Sequence, residues 1–416
     1  MRLHSWHLMT VAIGVWLLAS ACAPAAPTPP TSAPAAAPTT APASAPSAAP
    51  APKPSAAASP AVAASPAASP AASPAASPAA SPAASPAAAP KPAVSPVAAA
   101  SPAAGGTVSG TLPGGRKVSI ALVVGVRGDP FYVTMQRGAQ AEADKIGADL
   151  SVDGPAQFDP VQQTPIVDAI IARKVDVLVI AATDKQAMIE PLRRANDAGI
   201  KVISVDTFIG DGDYAGGPVT FPLSYIGSDN VQGGMIGCQA LLQANGNKGK
   251  YYIQNVKPGI STTDQREQGC RQAITAAGDQ ATLVGVDYND DSAANAAQQT
   301  SAVLQRTPDL AGIFGANLFS AEGAAQAVKN ANLSGTVKIA NFDAPEQAIA
   351  DLRASVVDLV IAQKPADMGT VAVDYAAMAM QGNTSGIQKR VPTGYVVIDR
   401  NNVDTPEAQA AIYKSQ

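Results

Sequence analysis

Polar side chains with planar hydrogen-bonding groups recur between residues 129 and 363, most of them directly after a short apolar run. The first of these runs is followed by "DPFY", which brings Asp129 next to Phe131 and Tyr132. Carboxylates, amides and guanidinium groups form paired hydrogen bonds with neighbouring hydroxyls, and aromatic faces pack against C–H surfaces. This combination predicts a binding site for a small polyhydroxylated molecule. The other members of the set are Asp206, Arg266, Tyr288, Asn317, Asp343 and Gln363.

Each of these residues also has a purely structural interpretation. Asp129 before a proline suits a helix N-cap, and Asp343 with Glu346 three positions later has the pattern of a capping box. Tyr132 lies on the apolar stripe of the predicted helix, whereas Phe131 does not. Taken singly, the acids favour helix caps, and only the joint placement of the whole set favours a binding site.

Two other members have structural alternatives of a different kind. Arg266 could pair with Asp264 on a surface, and Gln363 could cap a helix that begins near residue 365. Asp206 is harder to explain as a cap, because the glycine-rich stretch 207–224 follows it and no helical pattern does.

The elements that must position these residues alternate regularly from Lys117 onward. Short Val/Ile-rich runs such as "VSIALVV" are separated by longer segments with apolar residues at helical spacing. This alternation predicts an α/β fold with parallel sheets covered by helices on both faces. About ten strands exceed one ordinary sheet, and the break near 210–225 predicts two lobes with a cleft. Ligands of such sheets bind outside the carboxyl ends of the strands, which is where the polar set falls.

The first 22 residues have the layout of an export signal. A short basic stretch with Arg2 and His4 precedes an apolar run, and "LASAC" ends at Cys22. The apolar run is about half the length of about 20 residues that a membrane-spanning helix needs. The segment resembles a bacterial lipoprotein signal, which implies removal of the residues before Cys22 and lipidation of that cysteine. We therefore expect an extracytoplasmic protein whose only membrane contact is a lipid anchor.

Residues 23–112 consist mainly of Ala, Pro, Ser and Thr, with "AASP" repeated every four residues. Frequent proline removes backbone donors, and small side chains bury too little apolar area to offset the entropy lost on ordering. This composition predicts a disordered tether between the anchor and the folded part.

Charge and motif content exclude several classes of function. The 28 basic and 32 acidic residues give no polycationic surface for nucleic acid. Both histidines precede residue 8, and the chain has no nucleophile elbow, phosphate loop or metal-spaced His/Cys set. We therefore expect a monomeric binding protein without a metal or cofactor, and not an enzyme. Cys238 and Cys270 flank the run "KYYIQN" on two predicted helices that would pack side by side, so we predict a disulfide between them; two separately buried thiols are the alternative.

The chain from about residue 117 to its end resembles the type I periplasmic sugar-binding proteins, the solute-binding components of ABC transporters. The matching stretches are "IALVVGVRGDPFYVTMQRGAQAEADKIGADL", "YIGSDNVQGGMIG", "GISTTDQREQGCRQAI" and "IANFDAPEQAIADL". The resemblance implies two sets of ligand contacts. Phe131, Tyr132 and Tyr288 would enclose a sugar ring, and its hydroxyls would bond to Asp206, Arg266, Asn317, Asp343 and Gln363, beside Asp129.

The same resemblance implies the organisation and role of the two lobes. Residues 117–228 with 364–394 would form the N-terminal lobe, and 229–363 with 395–416 the C-terminal lobe, joined by a three-crossing hinge. Such a protein captures a monosaccharide or related polyol in the cleft and delivers it to an ABC-type permease, or presents it to a chemoreceptor or sensor kinase. A regulator of the lactose-repressor type would need a helix-turn-helix where the "AASP" repeats stand.

Departures from the family's ribose binders bear on the ligand. Thr207, Asp129 and Gly125 each differ from the residue those binders have, so ribose is not implied. Three predicted site acids against Arg266 alone permit a neutral sugar or a cationic amino sugar and disfavour a phosphorylated ligand.

Overall fold

The computed structural model of the protein describes residues 108–415. The predicted signal segment, the lipidation site Cys22 and most of the predicted tether lie outside the described residues. Among residues 108–415, no helix combines the length and apolar character needed to cross a bilayer.

The first run of elements extends to Ser228. It contains β1 (Ser119–Val123), α1 (Pro130–Ile146), β2 (Asp149–Asp153), α2 (Pro160–Arg173), β3 (Val177–Ile180), α3 (Ile189–Asp197), β4 (Lys201–Val205) and β5 (Tyr225–Ser228).

The second run extends to Ala362. It contains α4 (Asn230–Ala244), β6 (Gly249–Asn255), α5 (Ser261–Ala276), β7 (Ala281–Tyr288), α6 (Ala293–Arg306), β8 (Leu310–Gly315), α7 (Leu318–Asn330), β9 (Lys338–Phe342), α8 (Glu346–Arg353) and β10 (Leu359–Ala362). The final part contains α9 (Pro365–Met380), β11 (Arg390–Thr393), β12 (Val396–Ile398) and α10 (Pro406–Ala410).

The strands form two six-stranded sheets. The first has the order β11-β5-β4-β3-β1-β2 and is parallel throughout; the second has the order β12-β10-β9-β8-β6-β7, in which only β12 is antiparallel. We call the part built on the first sheet the first lobe and the part built on the second sheet the second lobe. The predicted two-lobed α/β fold is confirmed.

The final part of the chain is shared between the lobes. Helix α9 packs on α1, where the Thr370 hydroxyl donates to the Gly138 carbonyl at 3.3 Å. Strand β11 extends the first sheet and β12 the second. The chain therefore passes between the lobes after Ser228, after Ala362 and after Thr393.

Local sequence explains where the key elements begin and end. The Asp129 carboxylate accepts a hydrogen bond from the Phe131 N–H at 2.8 Å, proline follows at the first helical position, and α1 ends at Gly147 with φ 80°. Strands β5 and β11 are additional to the ten that the sequence predicts. Each has only four residues and contains Gly227 or Pro392, so neither shows a continuous apolar run.

Backbone contacts begin slightly before the predicted end of the tether. The Gly110 N–H donates to the Ile146 carbonyl at 2.8 Å, and Thr111 pairs with Lys117 in a short hairpin. Residues 110–112 thus belong to the folded part, although the composition assigns them to the tether.

Helices α4 and α5 of the second lobe lie unusually close together. A Cβ atom at Gly234 would collide with the Arg266 carbonyl, and one at Gly269 with the Val231 carbonyl, so both positions require glycine. Cys238 and Cys270 are joined by a disulfide between these helices, with Cα atoms 5.0 Å apart. The close packing fixes the backbone that carries Arg266.

Candidate functional site

A cavity lies between the carboxyl ends of the two sheets. Eight of the nine predicted ligand-binding residues line it; Tyr288 does not. Its lining residues are Asp129, Phe131, Tyr132, Phe158, Asp206, Val256, Ile260, Thr262, Thr263, Arg266, Asp291, Asn317, Asp343 and Gln363. A lining of aromatic rings with a few convergent polar groups suits a small-molecule ligand.

The aromatic wall of the cavity comes entirely from the first lobe. Phe131 and Tyr132 lie in the first turn of α1, with ring centroids 5.1 Å apart and an interplanar angle of 82°. The Tyr132 hydroxyl donates to Asp206 at 2.8 Å. Tyr132 therefore belongs both to the hydrophobic core and to the lining of the cavity. Phe158, in the loop before α2, is the third ring.

Three cavity acids have left-handed backbone conformations. Asp206, Asp291 and Asp343 have φ values of 57°, 61° and 75°. Such values are uncommon outside glycine and are most easily tolerated by Asn and Asp. Asp206 and Asp343 directly follow β4 and β9, so the reversal occurs where the strands reach the cavity. Strained backbone held by surrounding structure is typical of ligand sites.

Arg266 is held in one orientation by groups of the second lobe. Its Nε donates to Asn230 Oδ1 at 2.9 Å and its Nη1 to the Ala316 carbonyl at 2.9 Å. Its guanidinium carbon lies 3.8 Å from the centroid of the Phe342 ring, and its Nη1 is 3.9 Å from Asp343 Oδ2. The alternative pairing with Asp264 does not occur, because Arg266 is buried and Asp264 pairs with Lys185.

Gln363 connects the cavity to the lobe crossings. Its Nε2 donates to Asp343 Oδ1 at 2.8 Å, and its Oε1 accepts from the Ser228 hydroxyl at 2.9 Å. Ser228 lies 3.3 Å from the Thr393 hydroxyl. All three crossings therefore meet in one hydrogen-bond network that ends on a cavity carboxylate. The capping box predicted at Asp343 does not form, since α8 begins at Glu346 without a side-chain cap.

The last described residues close this network. The Tyr413 hydroxyl accepts from the Gln363 N–H at 2.7 Å and donates to Asp343 Oδ1 at 3.1 Å. The Lys414 N–H donates to Thr134 of the first lobe at 3.1 Å, while its Nζ is 3.1 Å from Glu346 of the second lobe.

Burial lowers the charge that the cavity carries. It raises the pKa of Asp206 to about 6 against the opposing effect of Arg266, and it raises the pKa of Asp291 to about 6 against the opposing bond from Asn317. Burial and the nearby Asp343 and Asp291 hold the pKa of Asp129 well above its usual range. The cavity is therefore less negative near neutral pH than four carboxyl groups and one guanidinium would suggest.

The lobes touch each other beside the cavity. Lys185 of the first lobe pairs with Asp264 of the second, and its N–H donates to the Gly259 carbonyl at 2.9 Å. The Phe208 N–H donates to the Ser261 hydroxyl at 3.0 Å. The arrangement is a closed one, in which a ligand would be enclosed from both sides.

The placement predicted for Tyr288 is wrong. Its side chain is 38% exposed, and its hydroxyl donates to Glu267 at 3.2 Å on the outer side of the edge strand β7. The turn after β7 carries the chain inward and brings Asp291 into the cavity instead.

Asp291 and Phe158 are two of the cavity residues that the sequence pattern does not predict. The acid-rich "NDD" turn is a signal for left-handed backbone and could have indicated Asp291. Gly125 could have indicated Phe158, because a Cβ atom there would collide with the Phe158 ring and the Tyr132 hydroxyl.

Residues 120–384 match the family described as the periplasmic binding protein domain. The chain belongs to this family. It is similar to a solved ABC transporter solute-binding protein from Agrobacterium vitis bound to α-D-tagatopyranose, at 47% identity over 72% of this chain and 100% of the other, with a TM-score of 0.70. A second solute-binding protein from that organism, with bound D-fucose, is 27% identical over 71% of this chain and 99% of its own, with a TM-score of 0.67.

A curated relative is also similar over the folded part. The ribose import binding protein RbsB of Escherichia coli (strain K12) is 30% identical over 280 residues, which cover 66% of this chain and 88% of the relative. The resemblance to periplasmic sugar-binding proteins that the sequence predicts is confirmed.

Proposed function

We propose that this protein captures a monosaccharide in the cavity between its lobes and delivers it to the permease of an ABC importer. The observation that carries the proposal is the pairing of an aromatic wall from the first lobe with fixed hydrogen-bonding groups from the second. Rings pack on the C–H face of a sugar, while amides, carboxylates and a guanidinium bond its hydroxyls. The family consists of solute-binding proteins, which favours capture over catalysis.

The class of sugar is narrowed by the comparison with the protein bound to α-D-tagatopyranose. That protein is 47% identical along its entire length, so a hexose in its pyranose form, and a ketohexose first, is the ligand we propose. Four cavity acids against one arginine disfavour a sugar phosphate, because its added charge would be repelled in a buried site.

Calorimetric titration of the protein with ketohexoses, aldohexoses, pentoses and their phosphates tests the proposal. We expect one neutral hexose to bind with a dissociation constant in the micromolar range or below and to be recovered unchanged. Its phosphate ester should bind at least about a hundredfold more weakly, a difference of about 2.7 kcal/mol. A panel in which no neutral monosaccharide binds, or in which the sugar is converted, would overturn the proposed function.

We also propose that the mature protein begins at a lipidated Cys22 and is held outside the cytoplasm by that anchor. The support is the "LASAC" signal pattern together with the periplasmic family of the folded part. Replacing Cys22 with serine should move the protein from the membrane fraction to the soluble extracytoplasmic fraction. Unchanged partitioning of the variant would contradict the anchor.

A further inference from the structure

We infer that Asp291 and Asn317 together bind a single ring hydroxyl of the ligand, and that Asp291 makes the protein selective between sugar epimers. The inference rests on the proposed function and concerns a residue that the sequence pattern did not assign. It predicts a ligand with a hydroxyl on the ring face that is turned away from the aromatic wall.

The hydrogen bonds already made by the pair determine what it can still bind. Asn317 Nδ2 donates to Asp291 Oδ1 at 2.7 Å, and Asn317 Oδ1 accepts from the Ser320 N–H at 3.0 Å. Of the bonds among described residues, none uses Asp291 Oδ2 or the second hydrogen of Asn317 Nδ2. One acceptor and one donor remain side by side. A hydroxyl both donates and accepts, so it matches this pair better than an amine, a carbonyl or a C–H group does.

The location of the pair fixes which part of a sugar it meets. All three rings that line the cavity belong to the first lobe, whereas Asp291 and Asn317 belong to the second. A pyranose packed on the rings therefore turns its opposite face toward the second lobe. An axial hydroxyl projects from that face and an equatorial one does not, so the pair distinguishes epimers at one carbon.

A second observation indicates that this wall bonds to a ligand. The Thr263 hydroxyl lines the same cavity, is buried and has no hydrogen-bond partner among the described residues. Buried hydroxyls are rarely left unpaired, because desolvation without a partner costs free energy. The second-lobe wall thus has unused capacity for hydroxyl groups.

The backbone around Asp291 holds its carboxylate at a fixed distance from Asn317. Asp290 and Asp291 are both left-handed, and the preceding Asn289 is anchored by a bond from its N–H to the Asn255 carbonyl at 2.9 Å. Asn289 Nδ2 also donates to the Ser320 hydroxyl at 2.7 Å, on the helix that Asn317 caps. The turn at residues 289–291 is therefore bonded directly to the start of α7. This bond holds Asp291 and Asn317 in a fixed arrangement before a ligand binds, which discrimination between epimers requires.

The expected size of the discrimination follows from the charge of the acceptor. A hydrogen bond to a charged group contributes about 1.5–3 kcal/mol, which corresponds to roughly 10- to 100-fold in affinity. An epimer without the matching hydroxyl does not form this bond. The free acceptor of Asp291 and the free donor of Asn317 then have no partner.

The experiment compares Asp291→Ala with the matched control Asp290→Asn. Asp290 is the neighbouring acid, is also left-handed with φ 54°, and is exposed, so its change removes the same charge from the same turn. The first probes are the four ketohexoses D-tagatose, D-fructose, D-psicose and D-sorbose, which differ only at C3 and C4. L-sorbose is added as the C5 epimer of D-fructose. D-galactose and D-glucose are a pair of aldohexoses that differ only at C4. Thermal unfolding of each ligand-free variant checks the fold.

We expect the wild type to prefer one member of an epimeric pair by roughly 10-fold or more. Asp291→Ala should weaken the preferred sugar by roughly 10- to 100-fold and the other by less than about threefold, so that the preference disappears. Asp290→Asn should leave both affinities within about twofold of wild type.

Two results would overturn the inference while the proposed function stands. One is an unchanged preference in Asp291→Ala; the other is an equal loss for both epimers, which would make Asp291 a general electrostatic or structural group. If the wild type binds none of these sugars, the inference fails. The proposed function fails with it only when the pentoses and the remaining hexoses of the wider panel do not bind either.

Discussion

The two walls of the cavity differ in how they are built. The first-lobe wall combines three aromatic rings, carried by one helix turn and one loop, with two acids. Asp129 accepts from the Phe131 N–H and Asp206 accepts from the Tyr132 hydroxyl. The second-lobe wall holds Arg266, Asn317 and Asp343 in hydrogen bonds to other groups of the protein. Apolar contact is non-directional, whereas fixed donors and acceptors select an orientation. We infer that the first lobe supplies affinity for sugars in general and the second selects among them.

The largest expected effect comes from removing Arg266, the cation of the second-lobe wall. Arg266→Ala leaves Asp343 buried without its nearest positive charge, and breaking a buried pair costs about 3–5 kcal/mol. We expect sugar affinity to fall by roughly two to three orders of magnitude in calorimetric titration. Arg266→Lys is the control. Lysine retains the positive charge but lacks the paired, planar N–H donors of the guanidinium group, so this variant should lose less sugar affinity. Equal affinity in all three proteins would contradict the role given to this wall.

Removing the disulfide of the second lobe tests whether the second-lobe wall depends on that covalent link for its rigidity. Cys238 and Cys270 are 32 residues apart, and closing a loop of this length stabilises a fold by about 3–4 kcal/mol in the chain-entropy model. The double change to serine should lower the free energy of unfolding by about that amount in denaturant titration. Sugar affinity should stay within about twofold, because Arg266 keeps its other partners. A large loss of affinity with little loss of stability would show that the link positions the site.

The aromatic wall gives a smaller effect with a matched control. Phe131→Leu removes a ring from the cavity while keeping most of the apolar volume, and aromatic packing adds about 1 kcal/mol beyond area burial. We expect roughly a fivefold loss of affinity that is similar for epimeric sugars. Tyr288→Leu removes a ring that lies outside the cavity and should change nothing in the same titration. A loss of sugar affinity in Tyr288→Leu would show that Tyr288 belongs to the binding site after all.

The smallest expected effect is a pH dependence of stability that arises in the first lobe, outside the cavity. Burial and the nearby Glu142 raise the pKa of Asp374 to about 6, between α1 and α9 of the first lobe. A carboxyl with a raised folded-state pKa favours the folded state when protonated, so this contribution is present at low pH and is lost as pH rises through about 6. Asp374→Asn should therefore flatten the fall in unfolding free energy between about pH 4 and 6, the interval between the unfolded-state and folded-state pKa values. Sugar affinity should not change, whereas Asp291→Asn should alter both quantities. An unflattened profile in Asp374→Asn would contradict this assignment.

Periodicity and capping patterns were sufficient for the alternating strands and helices and for the cap at Asp129, because both depend on neighbours in the sequence. Residues at the ends of long apolar strands, such as Asp206 and Asp343, were also found, since parallel sheets place those ends at one edge. Tyr288 was misplaced because a one-residue step at an edge strand reverses the direction of a side chain. Phe158 lies in a loop with no period, and Tyr413 comes from a terminal segment whose position depends on contacts made by both lobes.

The end of the chain has a consequence for measuring the ligand optically. Lys414 contacts Thr134 of the first lobe and Glu346 of the second, next to the hydroxyl of Tyr413 that bonds to Asp343. Any separation of the lobes must break one of these contacts and change the surroundings of residues 413–415. An environment-sensitive fluorophore attached to the thiol of a Ser415→Cys variant would therefore change its emission as the lobes open and close, and would report sugar binding optically.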